Sequence, residues 1–384
     1  MIDGATELSP IARAAGAVVA PRTMRATAHA EIPVVLRATE AEATGAQMRV
    51  GGMRVVDRAI RQLARLRDAR VVIATDGTIP LPRRLPPNFQ RRDIAGDSAA
   101  AIAALHEELG PETKSVGADT VWLMPGRLDR GIRVVDGATR RAAADSVYGE
   151  LQHDPPGIFD RLINRRLSIK LTRLLFANLP VTPALLTLLA GFIGVYGALM
   201  IATGSMFDVL VGFAALEGYI IVDGCAKMLA RLRLHQSGLG AWLDTMIGDF
   251  VSVVLTLAVG RALWAHGGTA LDMKIAVVAA ALTVLYAVLA YRELVRQREG
   301  DVSKLRWWFA YGQTLRTMSG TGSQSIKVLA MVGRRDAIVA VGLALAAVDQ
   351  LPMMLLFLLI VAISRAGAAV IQLLTPEWRI RPPA

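Results

Sequence analysis

Long runs of apolar residues dominate the second half of the chain, and each is close to the roughly 20 residues that a helix needs to cross a bilayer. Six stretches are predicted to span a membrane, over residues 183–203, 206–230, 241–265, 272–292, 335–349 and 351–373. The last two stretches are separated only by Asp349, Gln350 and Pro352, so the boundary between them is the least sharply defined. The pattern predicts an α-helical integral membrane bundle of six transmembrane helices.

Positive charge alternates from one end of these spans to the other. The turns at 203–205, 266–268 and 349–350 contain no Lys or Arg. The opposite ends contain many, namely Arg231, Arg233, Arg292, Arg296, Arg298, Lys304, Arg306, Arg334, Arg335, Arg379 and Arg381. Loops rich in Lys and Arg stay on the cytoplasmic side. We therefore expect an inner or cell membrane protein with both termini in the cytoplasm.

The segment before the first span, residues 158–176, is predicted to be an amphipathic helix. Its apolar residues recur at steps of three and four among Arg and Lys, which gives one apolar and one basic face. A helix lying in the headgroup layer, with membrane lipid as its partner, fits this pattern. The alternative is a linker helix packed on the N-terminal domain. Thr182 and Pro183 predict an N-cap and a first-turn proline for the first span.

The first part of the chain mixes charges with short apolar runs. Strands are predicted at residues 33–38 and 70–75, with a helix over 54–67 between them and a third strand candidate at 120–124. This order predicts a parallel α/β sheet. The predicted division of the chain is an extension (1–30), a cytoplasmic α/β domain (31–155), the interfacial helix (156–180), the membrane domain (181–375) and a tail (376–384).

The layout of the α/β domain resembles the nucleotidyltransferase fold. In that fold the first strand ends in a glycine-rich loop whose backbone amides hold the nucleotide phosphates. Here residues 38–43 contain no glycine before Gly45, and Glu40 and Glu42 would repel a triphosphate. We therefore expect a scaffold or regulatory domain rather than a working cytidylyltransferase.

Composition changes this picture little. The net charge of +11 and the pI near 10.3 could indicate a nucleic-acid partner. The Lys and Arg of the second half flank apolar spans, however, so no nucleic acid is expected. The single cysteine, Cys225, excludes an intrachain disulfide.

Charged residues within apolar spans are costly and indicate function. Asp223 lies deep in the second predicted span and Asp244 early in the third, with Arg231 on the turn between them. This polar cluster is the candidate site.

The stretch from Asp223 to Gly248 resembles the signature of the CDP-alcohol phosphotransferases, membrane enzymes of phospholipid synthesis. That signature reads Asp, two residues, Asp-Gly, two residues, Ala-Arg, about eight residues, Gly, three residues, Asp, three residues, Asp. With the first aspartate placed on Asp223, the matching positions are Ala230, Arg231, Gly240 and Asp244. A second register, with Asp223 and Gly224 as the Asp-Gly pair, matches fewer positions.

The resemblance implies transfer of a phospho-alcohol group from a CDP-linked donor to an alcohol acceptor, with release of CMP. It implies two Mg²⁺ or Mn²⁺ ions held by the aspartates, with the last aspartate as general base. Asp223 and Asp244 are thus candidate metal ligands. Ala230, Arg231 and Gly240 are candidates for binding the CDP-alcohol. A homodimer is a further candidate assembly.

Three signature positions are altered, namely Ala226, Lys227 and Gly248. Two of the four aspartates are absent, and no catalytic residue can be assigned because the base position is Gly248. Lys227 follows Asp223 by four residues, which favours an ion pair that partly replaces a metal and leaves at most one weak metal site. Asp249 should face elsewhere, because one residue turns a helix by about 100°.

We therefore expect impaired catalysis. One alternative is a non-catalytic subunit that binds a nucleotide or lipid headgroup. A transporter is disfavoured because the cluster lies near the cytoplasmic ends of its spans and no inverted repeat is apparent.

Overall fold

The computed structural model describes residues 32–66, 69–94, 98–122, 128, 131–151, 160–235, 237–297, 302, 305–308 and 333–375. The predicted extension, the predicted tail and residues 156–159 of the juxtamembrane segment lie outside these ranges. So do four of the charges used for orientation, Arg298, Lys304, Arg379 and Arg381.

A four-stranded parallel sheet organises the N-terminal domain. Its strands are β1 (Ile32–Ala38), β4 (Ala69–Thr75), β5 (Phe89–Asp93) and β6 (Lys114–Gly117), in the order β5-β4-β1-β6. Short antiparallel pairs are formed by β2 (Arg49–Val50) with β3 (Met53–Arg54), and by β7 (Thr120–Trp122) with β8 (Gly131–Arg133). The helices are α1 (Glu40–Gln47), α2 (Val55–Leu63), α3 (Ser98–Leu109) and α4 (Gly137–Glu150).

The predicted parallel α/β sheet is confirmed for its two central strands. Val34, Val35, Leu36 and Ala38 of β1 and the apolar residues of β4 are buried, as continuous apolar runs are in central strands covered on both faces. Of the third predicted strand, residues 120–122 are described as β7, which pairs antiparallel with β8 outside the main sheet, and residues 123 and 124 lie outside the described ranges. The two outer strands of the main sheet are β5 and β6, whose polar sequences gave no strand signal.

The membrane domain contains α6 (Pro183–Thr203), α7 (Met206–Leu232), α8 (Gly238–Ala265), α9 (Ala270–Gln297), α10 (Arg335–Ala347) and α11 (Leu351–Leu374). Five of these described helices, all except α10, are long and apolar enough to cross a membrane. They make the chain an integral membrane protein. The 13 residues of α10 rise about 20 Å, against an apolar layer of about 30 Å, so the sixth crossing stays a prediction.

Side-chain caps determine where the site helices begin. Thr182 accepts a hydrogen bond from the amide of Leu185 (3.2 Å), as predicted for the start of α6. Ser237 accepts one from the amide of Gly240 (3.0 Å) at the start of α8. The short connection between α7 and α8 therefore holds the end of one site helix beside the beginning of the next.

The juxtamembrane segment (residues 160–176) is helical throughout. A central α-helix, α5 (Arg165–Leu171), is flanked by the π-helical turns Asp160–Asn164 and Thr172–Phe176. Leu174 is 77% exposed, in keeping with an apolar face toward lipid, and its position in the headgroup layer stays a prediction. Arg173 also forms an ion pair with Asp145 (2.8 Å) on α4. The segment thus contacts the N-terminal domain as well, so the two alternatives for it are compatible.

The N-terminal domain docks on the end of α7. Arg58, only 2% exposed, donates hydrogen bonds to the carbonyl oxygens of Val50 (3.1 Å) and Leu232 (2.6 Å). Met228 and Leu232 of α7 pack in one apolar cluster with Val50 and Val55. The helix that carries Asp223 is therefore held directly by the α/β domain.

Candidate functional site

Lys227 joins the two aspartates of the candidate site. Its Nζ lies 2.6 Å from Oδ2 of Asp223, one helical turn away on α7, and 3.2 Å from Oδ1 of Asp244 on α8. The predicted ion pair with Asp223 is present. The structure adds the second contact across the helix pair, so a single ammonium group pairs with both carboxylates.

This arrangement does not fit a divalent metal. Mg²⁺ and Mn²⁺ require several oxygen ligands around one centre, and here an ammonium group lies between the only two signature carboxylates. Within the described part of the chain, no group of three or more His, Cys, Asp or Glu side chains could hold a metal ion. The proposed Mg²⁺ or Mn²⁺ cofactor has no matching ligand set among these residues.

The position of the missing second aspartate is filled by hydrocarbon. Ala226 is 2% exposed and packs with Leu186 of α6 and Leu229 of α7. Phe176 and Val181 lie against the same cluster. A carboxylate here would be desolvated without an evident partner, which is unfavourable.

The position of the missing fourth aspartate is filled by a guanidinium group. A Cβ atom added at Gly248 would overlap the guanidinium of Arg335, at the start of α10. That guanidinium donates to the hydroxyl of Tyr219 (3.2 Å) and to the carbonyl oxygen of Thr245 (3.4 Å). It also interacts electrostatically with Asp244. Arg335 thus brings a second cation to the site.

Sequence reasoning missed this role of Arg335. In the sequence Arg335 is one more positive residue at the end of a span, and its distance along the chain from Gly248 carries no sign of contact. Two features of the sequence could have indicated it. Gly248 stands where the signature has an aspartate, and Arg335 is a charged residue within the predicted span 335–349.

Asp249 does not replace the missing aspartate. It is 8% exposed and accepts a hydrogen bond from the hydroxyl of Tyr291 on α9 (2.9 Å). Trp242 packs edge-on against Tyr291, with ring centroids 5.5 Å apart. As the helical turn predicts, the carboxylate points to another helix rather than to Lys227.

The retained signature residues lie where α7 ends and α8 begins. Ala230 and Arg231, both partly buried, are in the last turn of α7. Gly240 is in the first turn of α8, next to its N-cap Ser237. The structure brings these three residues to the same end of the helix pair as Lys227, whose side chain is 49% exposed.

Gly224 has a packing role that explains its presence outside the signature. A Cβ atom at this position would lie 2.5 Å from Oγ of Ser168 on α5. The same hydroxyl donates to the carbonyl oxygen of Ile221 (2.8 Å). Close contact between α5 and α7 thus accounts for Gly224 without the second register.

A small cavity lies beside Arg335 in the interior of the bundle. Its volume is about 30 Å³, and its lining includes Tyr219, Thr283, Arg335 and Arg365. A space of this size holds about one water molecule. The cavity is therefore too small for a nucleotide or a lipid headgroup.

In the α/β domain, the carboxylate of Asp76 binds the first turn of α1. Oδ2 of Asp76, just after β4, accepts a hydrogen bond from the amide of Glu40 in the first turn of α1 (2.8 Å). Oδ1 of Asp76 accepts from the amide of Thr78 (2.9 Å). Desolvation opposes ionisation, but the hydrogen bonds from Thr78 and Glu40 outweigh it and lower the pKa of Asp76. This carboxylate fills the anion site that a helix N-terminus offers.

The carboxylate of Glu42 is also bonded to side chains of the protein. It is 2% exposed, accepts from the hydroxyl of Thr39 (2.5 Å), and lies 3.6 Å from Arg37. The residues at the end of β1 therefore bond to one another, and the expected scaffold or regulatory role of the domain stays a prediction.

No family model matches the chain. The bifunctional IPC transferase and DIPP synthase of Archaeoglobus fulgidus is 28% identical over 112 residues, which make up 29% of this chain and 22% of that protein. The chain is similar to a transferase. It spans only about a fifth of that relative's length.

Proposed function

We propose that the chain is a CDP-alcohol phosphotransferase-like membrane protein of lipid synthesis whose transfer activity is impaired. The observation that carries this proposal is Lys227, which pairs with both Asp223 and Asp244. Support for the class comes from the five signature positions, the apolar helices and the similarity to a protein named as a transferase.

The proposed impairment follows from what transfer requires. An acceptor hydroxyl must lose its proton to a base as it attacks a phosphoryl group, and the developing charge must be stabilised. Gly248 supplies no base, and Asp249 is bonded to Tyr291. Lys227 is already paired with two carboxylates, so its positive charge contributes little to stabilising a phosphate.

A second candidate function is binding without transfer. Arg231, Gly240 and the beginning of α8 lie together at the exposed end of the helix pair. Guanidinium groups and helix N-termini are both suited to phosphates. The site is thus suited to hold a cytidine nucleotide or phospholipid headgroup as a non-catalytic subunit.

The transfer proposal is tested with the full-length protein in lipid nanodiscs. CMP release is measured with CDP-diacylglycerol or CDP-inositol, several alcohol acceptors, and Mg²⁺ or Mn²⁺. We expect release by the unmodified protein to match that of Asp244→Asn. Asp272→Asn, at a partly buried carboxylate at the start of α9 that accepts hydrogen bonds from Thr269, is the control for loss of a charge. Robust release that Asp244→Asn abolishes and Asp272→Asn retains would show an active enzyme.

The binding proposal has a separate readout. Binding of CDP-diacylglycerol to the same nanodiscs should weaken at least tenfold in Arg231→Ala and stay unchanged in Arg261→Ala, an exposed cation near the far end of α8. Failure of the unmodified protein to bind any cytidine nucleotide would refute this second function.

A further inference from the structure

Both signature carboxylates of the candidate site already have side-chain cations as counter-charges. Asp223 and Asp244 are largely shielded, with side chains 11% and 24% exposed, and each lies against the Lys227 ammonium group. Arg335 adds a second positive charge, with which Asp244, Asp249 and Asp223 interact electrostatically. The two signature carboxylates thus face two side-chain cations, while Asp249 is also bonded to Tyr291.

Gly248 and Arg335 are complementary in shape. The guanidinium lies where a side chain at 248 would begin, held by Tyr219 and Thr245. The end of an arginine can move, but here it would give up both contacts inside the bundle. If it stayed nearby, a carboxylate at 248 would pair with it directly. In either case the new carboxylate is not free for a metal.

We propose that Lys227 and Arg335 are resident cations that replace divalent metal ions as the permanent counter-charges of this site. Arg335 then weakens any metal site rebuilt from the signature positions alone. Returning the aspartates at 226 and 248 and the glycine at 227 gives only weak metal binding while Arg335 occupies the space beside position 248.

This proposal goes beyond the proposed function, because it concerns the charge balance of the site and not the fate of a substrate. Its test therefore uses Mn²⁺ as the only probe, with no nucleotide or lipid donor. A failed CMP-release assay and a failed Mn²⁺ experiment are thereby distinguishable.

The first experiment compares single variants in nanodiscs. The melting temperature of the unmodified protein should be the same with Mn²⁺ and with a chelator. Lys227→Met leaves two carboxylates without their ammonium group, so its melting temperature should become Mn²⁺-dependent. Lys274→Met, on α9 away from the site, should behave as the unmodified protein.

The second experiment measures Mn²⁺ binding by electron paramagnetic resonance. The variant Ala226→Asp/Lys227→Gly/Gly248→Asp should bind Mn²⁺ at least tenfold more weakly than the same variant with Arg335→Ala added. Adding Arg334→Ala instead removes a neighbouring charge that pairs with Asp336 (3.1 Å), and it should give no such gain.

Three results would overturn the proposal. One is stoichiometric Mn²⁺ binding by the unmodified protein. Another is a melting temperature of the Lys227→Met variant that does not change with Mn²⁺. This single substitution tests the role of Lys227 even if the multiple variants do not fold. The third is equal Mn²⁺ affinity with and without Arg335, which would show that Arg335 does not weaken the site.

Discussion

Arg58 in the α/β domain donates a 2.6 Å hydrogen bond to the carbonyl oxygen of Leu232, the last residue of α7. The last carbonyl groups of a helix have no partner within the helix, and here a buried arginine from another domain supplies one. Burial lowers the pKa of Arg58 to about 10, so the side chain still carries its charge at neutral pH. The α/β domain is thereby coupled to the helix that carries Asp223 and Lys227.

Arg58→Met should loosen this docking. It removes two charge-assisted hydrogen bonds and leaves buried carbonyl groups unpaired, which we expect to cost about 2–4 kcal/mol. The measurement is the melting temperature of the full-length protein, together with its rate of proteolysis between the domains. Arg65→Met, at an exposed arginine just after α2, is the control, and an equal effect of the two substitutions would contradict the docking role.

Gly224→Ala should destabilise the packing of α5 on α7 by about 1–3 kcal/mol, because the added methyl group meets Oγ of Ser168 at 2.5 Å. Adding Ser168→Ala should recover part of this loss, a coupling that a double-mutant cycle measures. Gly218→Ala is the matched control on the same helix. Its new methyl group would lie 3.9 Å from Ile193, so no loss is expected.

Gly248→Ala isolates the contact with Arg335. The added methyl group must displace the guanidinium, so we expect a loss of about 1–3 kcal/mol in thermal unfolding of the full-length protein. Gly367→Ala in α11, which meets no atom within 4 Å, should be neutral or slightly stabilising. Unchanged stability in Gly248→Ala would argue that the space at 248 is not filled as described.

Asp76 should make stability depend on pH at the acid end. The pKa of Asp76 is lowered in the folded protein. Its ionised carboxylate therefore stabilises the fold at pH values above the pKa of the unfolded chain, which is about 4. That contribution is lost as the pH falls through the lower folded value. Asp76→Ala should cost a few tenths of a kcal/mol to about 1 kcal/mol at pH 7, because Asp76 is largely exposed and solvent screens its charge.

The measurement for Asp76→Ala is the melting temperature of the full-length protein from pH 7 down to pH 2. The difference from the unmodified protein should shrink below about pH 4. Asp93→Ala, which removes an exposed carboxylate paired with Arg91, should give a smaller difference at pH 7. A difference for Asp76→Ala that is constant with pH would contradict its assignment as an ionised cap.

Much of the architecture was predictable because it depends on local pattern. The length of each apolar run predicted six spans, of which five are helices long and apolar enough to cross a membrane. Thr182 predicted the start of α6. Continuous apolar runs predicted β1 and β4. The polar strands β5 and β6 could not be found in this way, because hydrogen bonding to the central strands, rather than an apolar run of their own, places them in the sheet.

In the candidate site, too, contacts within one helix were predictable and contacts between elements were not. The sequence by itself determined the ion pair of Lys227 with Asp223, because residues four apart on a helix are neighbours. Only the tertiary structure decided that Lys227 also reaches Asp244, that Arg335 fills the space at Gly248, and that Arg58 holds the end of α7. These contacts join separate elements, and their distances depend on how helices and domains pack, which no spacing within one helix determines.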